Sequence, residues 1–277
     1  MNILKLAHAI KERYTTRMNS LEAINFHGRK IKVVRGTVRK KADRDDHWLL
    51  ILLGQSKLFF DVGANMGYMS VLGFLSNPQR QIFLFEPNKY AMEVAMFNML
   101  YTGNLSMCTF IDSFVGAEDF KETRFYTIGA GAAGSMYKSH AESAAALNSF
   151  MMVGTRTLDS VVAQYGVSPD LVKIDVEGAE GLVLDGCINL PTLRSTRFFV
   201  EMHSNVDLTM VTNAAKVLDW CKRVNYRAWY LKNEQELHSG EQIAQRGRCH
   251  LLLQPMDWDY PEFLRGIKEN SPLPNVI

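Results

Sequence analysis

The sequence has no long apolar run, almost no net charge and no closely spaced cysteines. No apolar segment approaches the ~20 residues needed to span a bilayer, so we expect no membrane-spanning helix. Lys and Arg number 31 and Asp and Glu 29, a net charge of +2, so no overall field attracts nucleic acid or an anionic membrane. The four cysteines form no Cys-x-x-Cys pair, which argues against a disulfide framework or a structural zinc site.

The composition is otherwise that of an ordinary soluble globular protein. Hydrophobic residues make up 47% and charged residues 22% of the 277 positions, which excludes the disordered and fibrous classes. The N-terminal segment carries basic residues, but its apolar core is too short for a secretory signal and no small-residue cleavage site follows it. The sequence therefore predicts a cytoplasmic protein.

Residues 1–55 differ in pattern from the rest of the chain and are predicted to form an N-terminal extension or cap. Apolar residues near helical spacing indicate an amphipathic helix over Met1–Leu21. A β-hairpin that turns at Gly28 and a second helix from about Asp45 to Leu53 are expected next. The segment Arg29–Arg44 holds eight Lys and Arg against one Asp. It is interpreted as a solvated hairpin face or as a surface that attracts an anionic acceptor, and RNA ranks low because no aromatic residues interleave the charges.

From residue 56 onward, strand and helix patterns alternate. Such alternation is typical of βαβ units and a parallel sheet, so residues 56–277 are predicted to form one α/β domain. The predicted strands are 58–62, 81–85, 107–111, 171–174, 197–202, 226–231 and 249–253, and the predicted helices begin after Gly67 and at 89–101, 158–165, 179–188 and 208–224. The small-residue segment 128–150 is interpreted as a surface loop with a short Ala-rich helix, or as a flap beside a ligand.

The most informative motif follows the first of these strands. Asp61 ends the strand, Gly63 and Gly67 bracket a turn that contains Asn65, and a helix begins. In an open parallel sheet this position lies in the crevice where nucleotide-like ligands bind. The spacing is not the G-x-G-x-x-G of dinucleotide sites, and Asp61 would repel a diphosphate. The motif therefore favours a ligand with a positively charged amino group over a dinucleotide.

Acidic residues also follow the next strands. Glu86 ends the second strand, where a carboxylate can accept hydrogen bonds from both hydroxyls of a ribose. Asp175 follows the fourth strand, and Glu201 and His203 lie at the end of the fifth. If these strands are neighbours, the last three side chains converge on one lip, where they could supply a general base or hold a divalent metal. Salt bridging of Asp175 with Lys173 is the alternative, structural interpretation.

Five motifs occur in the order seen in FkbM-type methyltransferases, and the sequence resembles that family between residues 59 and 203. They read Asp-Val-Gly-Ala-Asn-x-Gly, Phe-Glu-Pro, Thr-Leu-Asp, Lys-Ile-Asp-Val-Glu-Gly-Ala-Glu and Val-Glu-Met-His. The resemblance implies S-adenosylmethionine as cofactor and a class I methyltransferase fold, which is a Rossmann-like, mostly parallel seven-stranded sheet with helices on both faces and an antiparallel last strand. It also implies O-methylation of a hydroxyl on a small-molecule or sugar-like acceptor.

The resemblance assigns roles to individual residues. Seven residues are expected at the cofactor: Asp61, Gly63, Asn65 and Gly67 around the methionine part, Glu86 at the ribose, and Asp112 or Ser113 near adenine. Methyl transfer also needs a base that removes the proton of the acceptor hydroxyl. We expect Asp175 or His203 as that base, with Glu201 orienting His203. Alternatively, Mg²⁺ held by Asp175 and Glu201 would lower the hydroxyl pKa directly, and both routes stay open.

Two other classes of function remain. A non-catalytic module could retain the cofactor loop, although the lip of Asp175, Glu201 and His203 would then have no purpose. An NAD-dependent oxidoreductase would need a diphosphate-binding turn, which Asp61 disfavours. The oligomeric state is not predicted.

Overall fold

The computed structural model describes residues 20–39, 45–127, 134–138, 141–189, 195–204 and 207–274. Its strands are β1 (Leu21–Phe26), β2 (Arg29–Val34), β3 (Leu58–Val62), β4 (Gln81–Phe85), β5 (Cys108–Ile111), β6 (Phe114–Val115), β7 (Glu122–Tyr126), β8 (Phe150–Arg156), β9 (Leu171–Ile174), β10 (Arg197–Met202), β11 (Tyr226–Tyr230), β12 (Gln235–Glu236) and β13 (Cys249–Pro255). Its α-helices are α1 (Asp46–Gly54), α2 (Tyr68–Ser76), α3 (Lys89–Tyr101), α4 (Glu142–Ala146), α5 (Leu158–Tyr165), α6 (Glu180–Asp185), α7 (Met210–Val224) and α8 (Gly240–Ala244).

The main sheet has the strand order β12-β11-β13-β10-β9-β3-β4-β5. Five neighbouring strands, from β10 to β5 in that order, pair in parallel. Strand β13 is inserted between β10 and β11 and runs antiparallel to both. The predicted class I methyltransferase sheet of seven strands with an antiparallel last strand is confirmed, and the two-residue β12 adds an unpredicted edge. The carboxyl ends of β3, β4, β9 and β10 meet at one edge, where ligands bind in open α/β sheets.

Helices cover both faces of this sheet, as predicted. Successive residues of a strand point to opposite faces, and β3 shows the consequence. Phe59 packs with residues of α1, α2 and α3, whereas Phe60 packs with residues of α5, α6 and α7. Both rings are fully buried. Both faces of the sheet are covered by a hydrophobic core, so the sequence of each main strand is a continuous apolar run instead of an apolar–polar alternation.

The described part of the N-terminal extension packs directly on the sheet. Strands β1 and β2 form the predicted hairpin, with Gly28 at φ +87° in its turn, and α1 is the predicted second helix. Val33 of β2 and Trp48 of α1 are buried in the core cluster that contains Phe59. Residues 1–19 of the predicted helix over Met1–Leu21 lie outside the described residues, and Leu21 is the first residue of β1 instead.

A second, three-stranded sheet in the order β6-β8-β7 was not predicted. Strand β6 has only two residues. Strand β8 has seven, but Val153 is its single buried residue, so it lacks the apolar pattern that marks the main strands. The predicted Ala-rich helix within 128–150 is confirmed as α4. Whether that segment moves as a flap stays a prediction, and residues 128–133, 139 and 140 lie outside the described part of the chain.

Two predicted helices are shorter than expected. The expected helix 179–188 spans Glu180–Asp185 and ends at Gly186. The expected helix 208–224 begins at Met210, because Thr209 caps it by accepting a hydrogen bond from the Thr212 N–H. Across the described ranges, every helix is too short or too polar to cross a bilayer.

Candidate active site

The turn after β3 approaches the neighbouring strand end so closely that only glycine fits. Gly63 has φ +75°, and a Cβ there would lie 1.9 Å from the Asp175 carbonyl oxygen. The Gly63 and Ala64 N–H groups both donate to the Phe85 carbonyl at 3.0 Å. Gly67, at φ +80°, starts α2. The turn is therefore held between β4 and β9, with its backbone facing the crevice at the sheet edge.

Asp61 lies beneath this turn rather than in the crevice. Its side chain is fully buried and accepts a hydrogen bond from the Ser70 hydroxyl at 2.7 Å. The Lys173 ammonium lies 3.5 Å from Asp61, because the two residues are cross-strand partners on the same face of β3 and β9. Asp61 thus supports the turn from below, and its expected role toward the methionine part stays a prediction.

Glu86 and Asn65 form a polar cradle on the wall of the crevice. The Glu86 carboxylate accepts hydrogen bonds from the N–H groups of Asn65 and Asn88, each at 2.8 Å. Burial raises the pKa of Glu86 to about 7, against the lowering effect of these two bonds. The Asn65 side-chain oxygen is buried and has no hydrogen-bond partner among the described residues. The cradle therefore holds a carboxylate and an amide oxygen that can accept further bonds.

One predicted residue and several that sequence reasoning missed form the other walls of the crevice. Ser113 lines it, whereas Asp112 is exposed and lies outside it. Phe125 of β7 and Gly134 come from the unpredicted small sheet and the segment after it. The complete lining is Val62, Gly63, Asn65, Phe85, Glu86, Pro87, Asn88, Ala91, Ser113, Phe114, Val115, Phe125, Gly134, Asp175, Val176 and Glu177. Among the missed residues, only Asn88 could have been found from the sequence, because an Asn directly before a helix is typical of an N-cap.

Asp175 links the crevice to the acidic lip at the ends of β9 and β10. It lines the crevice, and the Lys173 ammonium lies 3.3 Å from its carboxylate. Burial raises the pKa of Asp175 to about 6, although Lys173 lowers it, and Glu201 adds to the increase. Asp175 is therefore a carboxylate whose proton affinity is tuned close to neutrality, at the mouth of the crevice.

His203 lies among carboxylates on the same lip. Its Nδ1 is 3.0 Å from Glu180 Oε1, and its Nε2 is 3.4 Å from Glu201 and 3.6 Å from Glu177. Burial lowers the pKa of His203, but hydrogen bonding to Glu180 and Glu201 outweighs it and raises the pKa to about 11. The ring is therefore an imidazolium at neutral pH. The lip brings Asp175, Glu201 and His203 together, as the sequence led us to expect.

Glu201 faces away from the crevice, toward Arg248, which precedes β13, and His250, which lies in it. Arg248 forms an ion pair with its Oε1, and His250 Nε2 lies 3.5 Å from its Oε2. Burial alone would raise the pKa of Glu201, but its ionic contacts with the His203 and His250 rings lower it far below its usual range. Arg248 and His250 had no motif to mark them in the sequence.

The amino-acid sequence was compared with models of known protein families. The model of the methyltransferase FkbM domain matches residues 61–228, which is more than half of the chain and includes the turn, the cradle and the acidic lip. The chain belongs to the FkbM methyltransferase family. No curated protein matches the sequence.

Several solved structures are similar to this FkbM chain at low identity. FkbM methyltransferase from Methylobacillus flagellatus KT is 13% identical with a TM-score of 0.43, over 72% of this chain and 43% of that one. The SAM-dependent O-methyltransferase TM0748 from Thermotoga maritima is 11% identical with a TM-score of 0.43, over 87% and 79%. M. jannaschii TYW2 in complex with AdoMet is 10% identical with a TM-score of 0.41, over 84% of each chain. The chain thus spans less than half the length of the Methylobacillus protein.

Proposed function

We propose that this FkbM-family chain is an S-adenosylmethionine-dependent O-methyltransferase acting on a hydroxyl of a small, sugar-like molecule. The observation that carries the proposal is Asp175, whose carboxylate lines the cofactor crevice and also belongs to the acidic lip. A base in that place can reach both the bound cofactor and an acceptor. The bound cofactor would supply the methyl group as a sulfonium.

The crevice residues fit S-adenosylmethionine better than a dinucleotide. Glu86 would accept hydrogen bonds from the ribose hydroxyls, and the unpartnered Asn65 oxygen would accept one from the ammonium group. Glu86, Asp175 and Glu177 all line the crevice, and three carboxylates repel a diphosphate. Gly63 lies so close to Asp175 that no side chain fits there. Without a side chain, the backbone of the turn can approach the ligand closely.

Asp175 is the general base in this proposal, and His203 positions the lip. A base must be unprotonated when the acceptor binds. With a pKa of about 6, Asp175 is ionised at neutral pH, whereas His203, with a pKa of about 11, already carries its proton. Asp175 would take the hydroxyl proton as the oxygen attacks the methyl carbon in line with the departing sulfur, ~3–3.5 Å away at the start.

The alternative of a Mg²⁺ ion shared by Asp175 and Glu201 has a geometric difficulty. His203 Nε2 lies between the two carboxylates, 3.4 Å from Glu201 and 3.9 Å from Asp175. The imidazolium thus occupies the place that the shared cation would need. We therefore propose a direct proton transfer, and addition of Mg²⁺ should leave the methylation rate unchanged.

The charge of the lip favours a neutral acceptor that is rich in hydroxyl groups. Carboxylates accept hydrogen bonds from hydroxyls and repel anions. Arg29 and Lys30 lie away from the lip, since they line a groove with Pro78 and Gln79, which precede β4 at the opposite edge of the sheet. Arg39 is instead paired with Asp45, and residues 40–44 lie outside the described part of the chain. An anionic acceptor attracted by Arg29–Arg44 is the competing expectation, and salt-sensitive acceptor binding would support it.

The first experiment measures cofactor choice. Calorimetry with S-adenosylmethionine, S-adenosylhomocysteine and NAD should show binding of the first two and none of NAD. Preferential binding of NAD would refute the proposal. Transfer of a labelled methyl group to a panel of neutral and anionic sugars then tests catalysis. Cofactor binding without transfer to any hydroxyl would support a non-catalytic binding module instead.

A further inference from the structure

A second group of buried side chains of the metal-ligand type lies behind the lip. Glu201 of β10 and His250 of β13 are direct cross-strand partners, and Asp45 comes from the residue before α1. All three are more than nine-tenths buried, and one ligand atom of each lies within 4.8 Å of the others. Asp45 and His250 lie outside the residues that match the FkbM domain, whereas Glu201 lies inside them.

The three ligand atoms converge on one point. His250 Nε2 lies 3.5 Å from Asp45 Oδ2 and 3.5 Å from Glu201 Oε2. Within the described part of the chain it has no hydrogen-bond partner. In a tetrahedral zinc site with bonds of ~2.0–2.1 Å, neighbouring ligand atoms are about 3.3 Å apart. The two separations from His250 are close to this ligand–ligand distance and longer than a typical hydrogen bond of ~2.7–3.2 Å.

The outer oxygen of each carboxylate is held by an arginine. Asp45 Oδ1 lies 3.8 Å from Arg39, and Glu201 Oε1 is paired with Arg248. These contacts turn the inner oxygens toward His250, as outer partners do for metal-ligating carboxylates. Asp45 also stands at the N-cap of α1 without a capping hydrogen bond from its side chain. Its carboxylate is directed to the cluster instead of to the helix.

The imidazole ring is fixed by aromatic packing. His250 stacks on Phe199, with ring centroids 5.4 Å apart and an interplanar angle of 21°, and Trp48 of α1 lies on the same face of the sheet at 6.5 Å. A ring held in one orientation keeps Nε2 aimed between the carboxylates. Such preorganisation lowers the entropic cost of binding a cation.

We propose that Asp45, Glu201 and His250 form a binding site for a divalent transition-metal cation that joins α1 to β10 and β13. Burial lowers the pKa of His250, but its contacts with Asp45 and Glu201 raise it to about 9, so a bound cation would displace the ring proton. The two carboxylates and the deprotonated imidazole would then carry a charge of −2, which a divalent cation balances. This donor set of one nitrogen and two oxygens suits Zn²⁺, with a water as fourth ligand. The spacing of the cysteines argued only against sites built from thiolates. The site shares Glu201 with the acidic lip, but its cation has no part in the proposed methyl transfer.

The test uses zinc as the probe and the full-length protein. Protein stripped of metal with a chelator is titrated with Zn²⁺ against a chromophoric competitor, and its thermal midpoint is measured with and without zinc. We expect one zinc per chain and a higher midpoint in its presence. His250→Gln and Asp45→Asn should each weaken zinc binding by at least tenfold and abolish the shift of the midpoint. The second variant keeps the test decisive if the first fails to fold.

Two further histidine variants locate the bound zinc. His238→Gln alters an exposed histidine and should leave the zinc affinity unchanged. His203→Gln alters the neighbouring group of Asp175, Glu177 and His203, whose ligand atoms also lie within 4.8 Å of one another. It should likewise keep the one bound zinc. Loss of the bound zinc in the His203→Gln variant would overturn the assignment. Absence of zinc binding by the wild-type protein would overturn it as well.

Discussion

The Lys173 ammonium donates a hydrogen bond of 2.9 Å to the Gly63 carbonyl. The same ammonium lies 3.5 Å from Asp61 and 3.3 Å from Asp175. One buried cation thus connects the turn after β3, the carboxylate beneath it and the proposed base. Lys173 is 4% exposed, so solvent screens these contacts little. We infer that Lys173 positions both the cofactor turn and Asp175.

Replacement of this cation tests its positioning role. Lys173→Met leaves the buried Asp61 and the partly buried Asp175 without their ammonium, which should lower the free energy of unfolding by about 3–5 kcal/mol. The affinity for S-adenosylmethionine should also fall, because the Gly63 carbonyl loses its donor. Denaturant unfolding and calorimetry measure the two effects. The matched control Lys57→Met alters an exposed lysine and should change stability by less than about 0.5 kcal/mol. Equal effects of the two variants would contradict the inference.

Addition of a methyl group at Gly63 should distort the turn after β3 and prevent cofactor binding. In Gly63→Ala, the new Cβ would lie 1.9 Å from the Asp175 carbonyl oxygen, so strand ends must move apart. The expected result is loss of cofactor binding and a large drop in stability. Gly166→Ala is the control, because Gly166 has φ +63° but no described atom within 4 Å of its Cβ position. It should cost about 1 kcal/mol from backbone strain alone. Similar stability and cofactor affinity in the two variants would show that the close approach does not matter.

Loss of the proposed base should separate catalysis from binding. Asp175→Asn keeps the size of the side chain and should lower the methylation rate by about 10²–10⁴-fold, while S-adenosylmethionine still binds. In the wild type the rate should rise as pH increases through about 6, because burial raises the pKa of Asp175 to that value and only the ionised form accepts a proton. Labelled methyl transfer across a pH series measures both. Unchanged turnover in the variant would remove Asp175 from the mechanism.

The charge of Glu86 should control cofactor affinity. Burial raises the pKa of Glu86 to about 7, so in the wild type the affinity should increase as pH rises through 7 and the carboxylate ionises. Glu86→Gln should bind about 10–100-fold more weakly at pH 8, because charged acceptors contribute ~1.5–3 kcal/mol per hydrogen bond. Its affinity should not change with pH in that window. Calorimetry at several pH values measures this, with the exposed Glu142→Gln as control.

Glu86 also affects how the stability of the protein depends on pH. The direction is opposite to that of a salt-bridged acid, whose contribution to stability increases with pH. Because the pKa of Glu86 is higher in the folded protein than in the unfolded chain, the folded state binds more protons between pH 4.5 and 7. The contribution of Glu86 to stability therefore decreases as pH rises through this window. Glu86→Gln should remove this contribution from the pH dependence of unfolding. A wild-type profile that coincides with that of the variant would place the Glu86 pKa near its ordinary value.

Much of the main sheet could be predicted because its signals are local. Strand β3, the turn at Gly63 and the helix after Gly67 follow from residues within ten positions of one another, and each strand–helix alternation is a pattern of neighbours. The shared edge also follows, since parallel strands in βαβ units end on one side. The acidic lip and the cradle at Glu86 could therefore be anticipated, whereas the sparsely buried β8 gave no such signal.

The sequence by itself determined the alternating strands, the glycine turn and the acidic residues at the strand ends, because side-chain periodicity and backbone freedom act over a few residues. Only the tertiary structure decided that Asp61 lies beneath the turn, that Lys173 joins it to Asp175, and that His250 faces Glu201. These contacts depend on the insertion of β13 beside β10 and on the packing of α1 against the sheet. Charges far apart in the chain acquire partners and shifted pKa values only when the strand order brings them together in a dry interior.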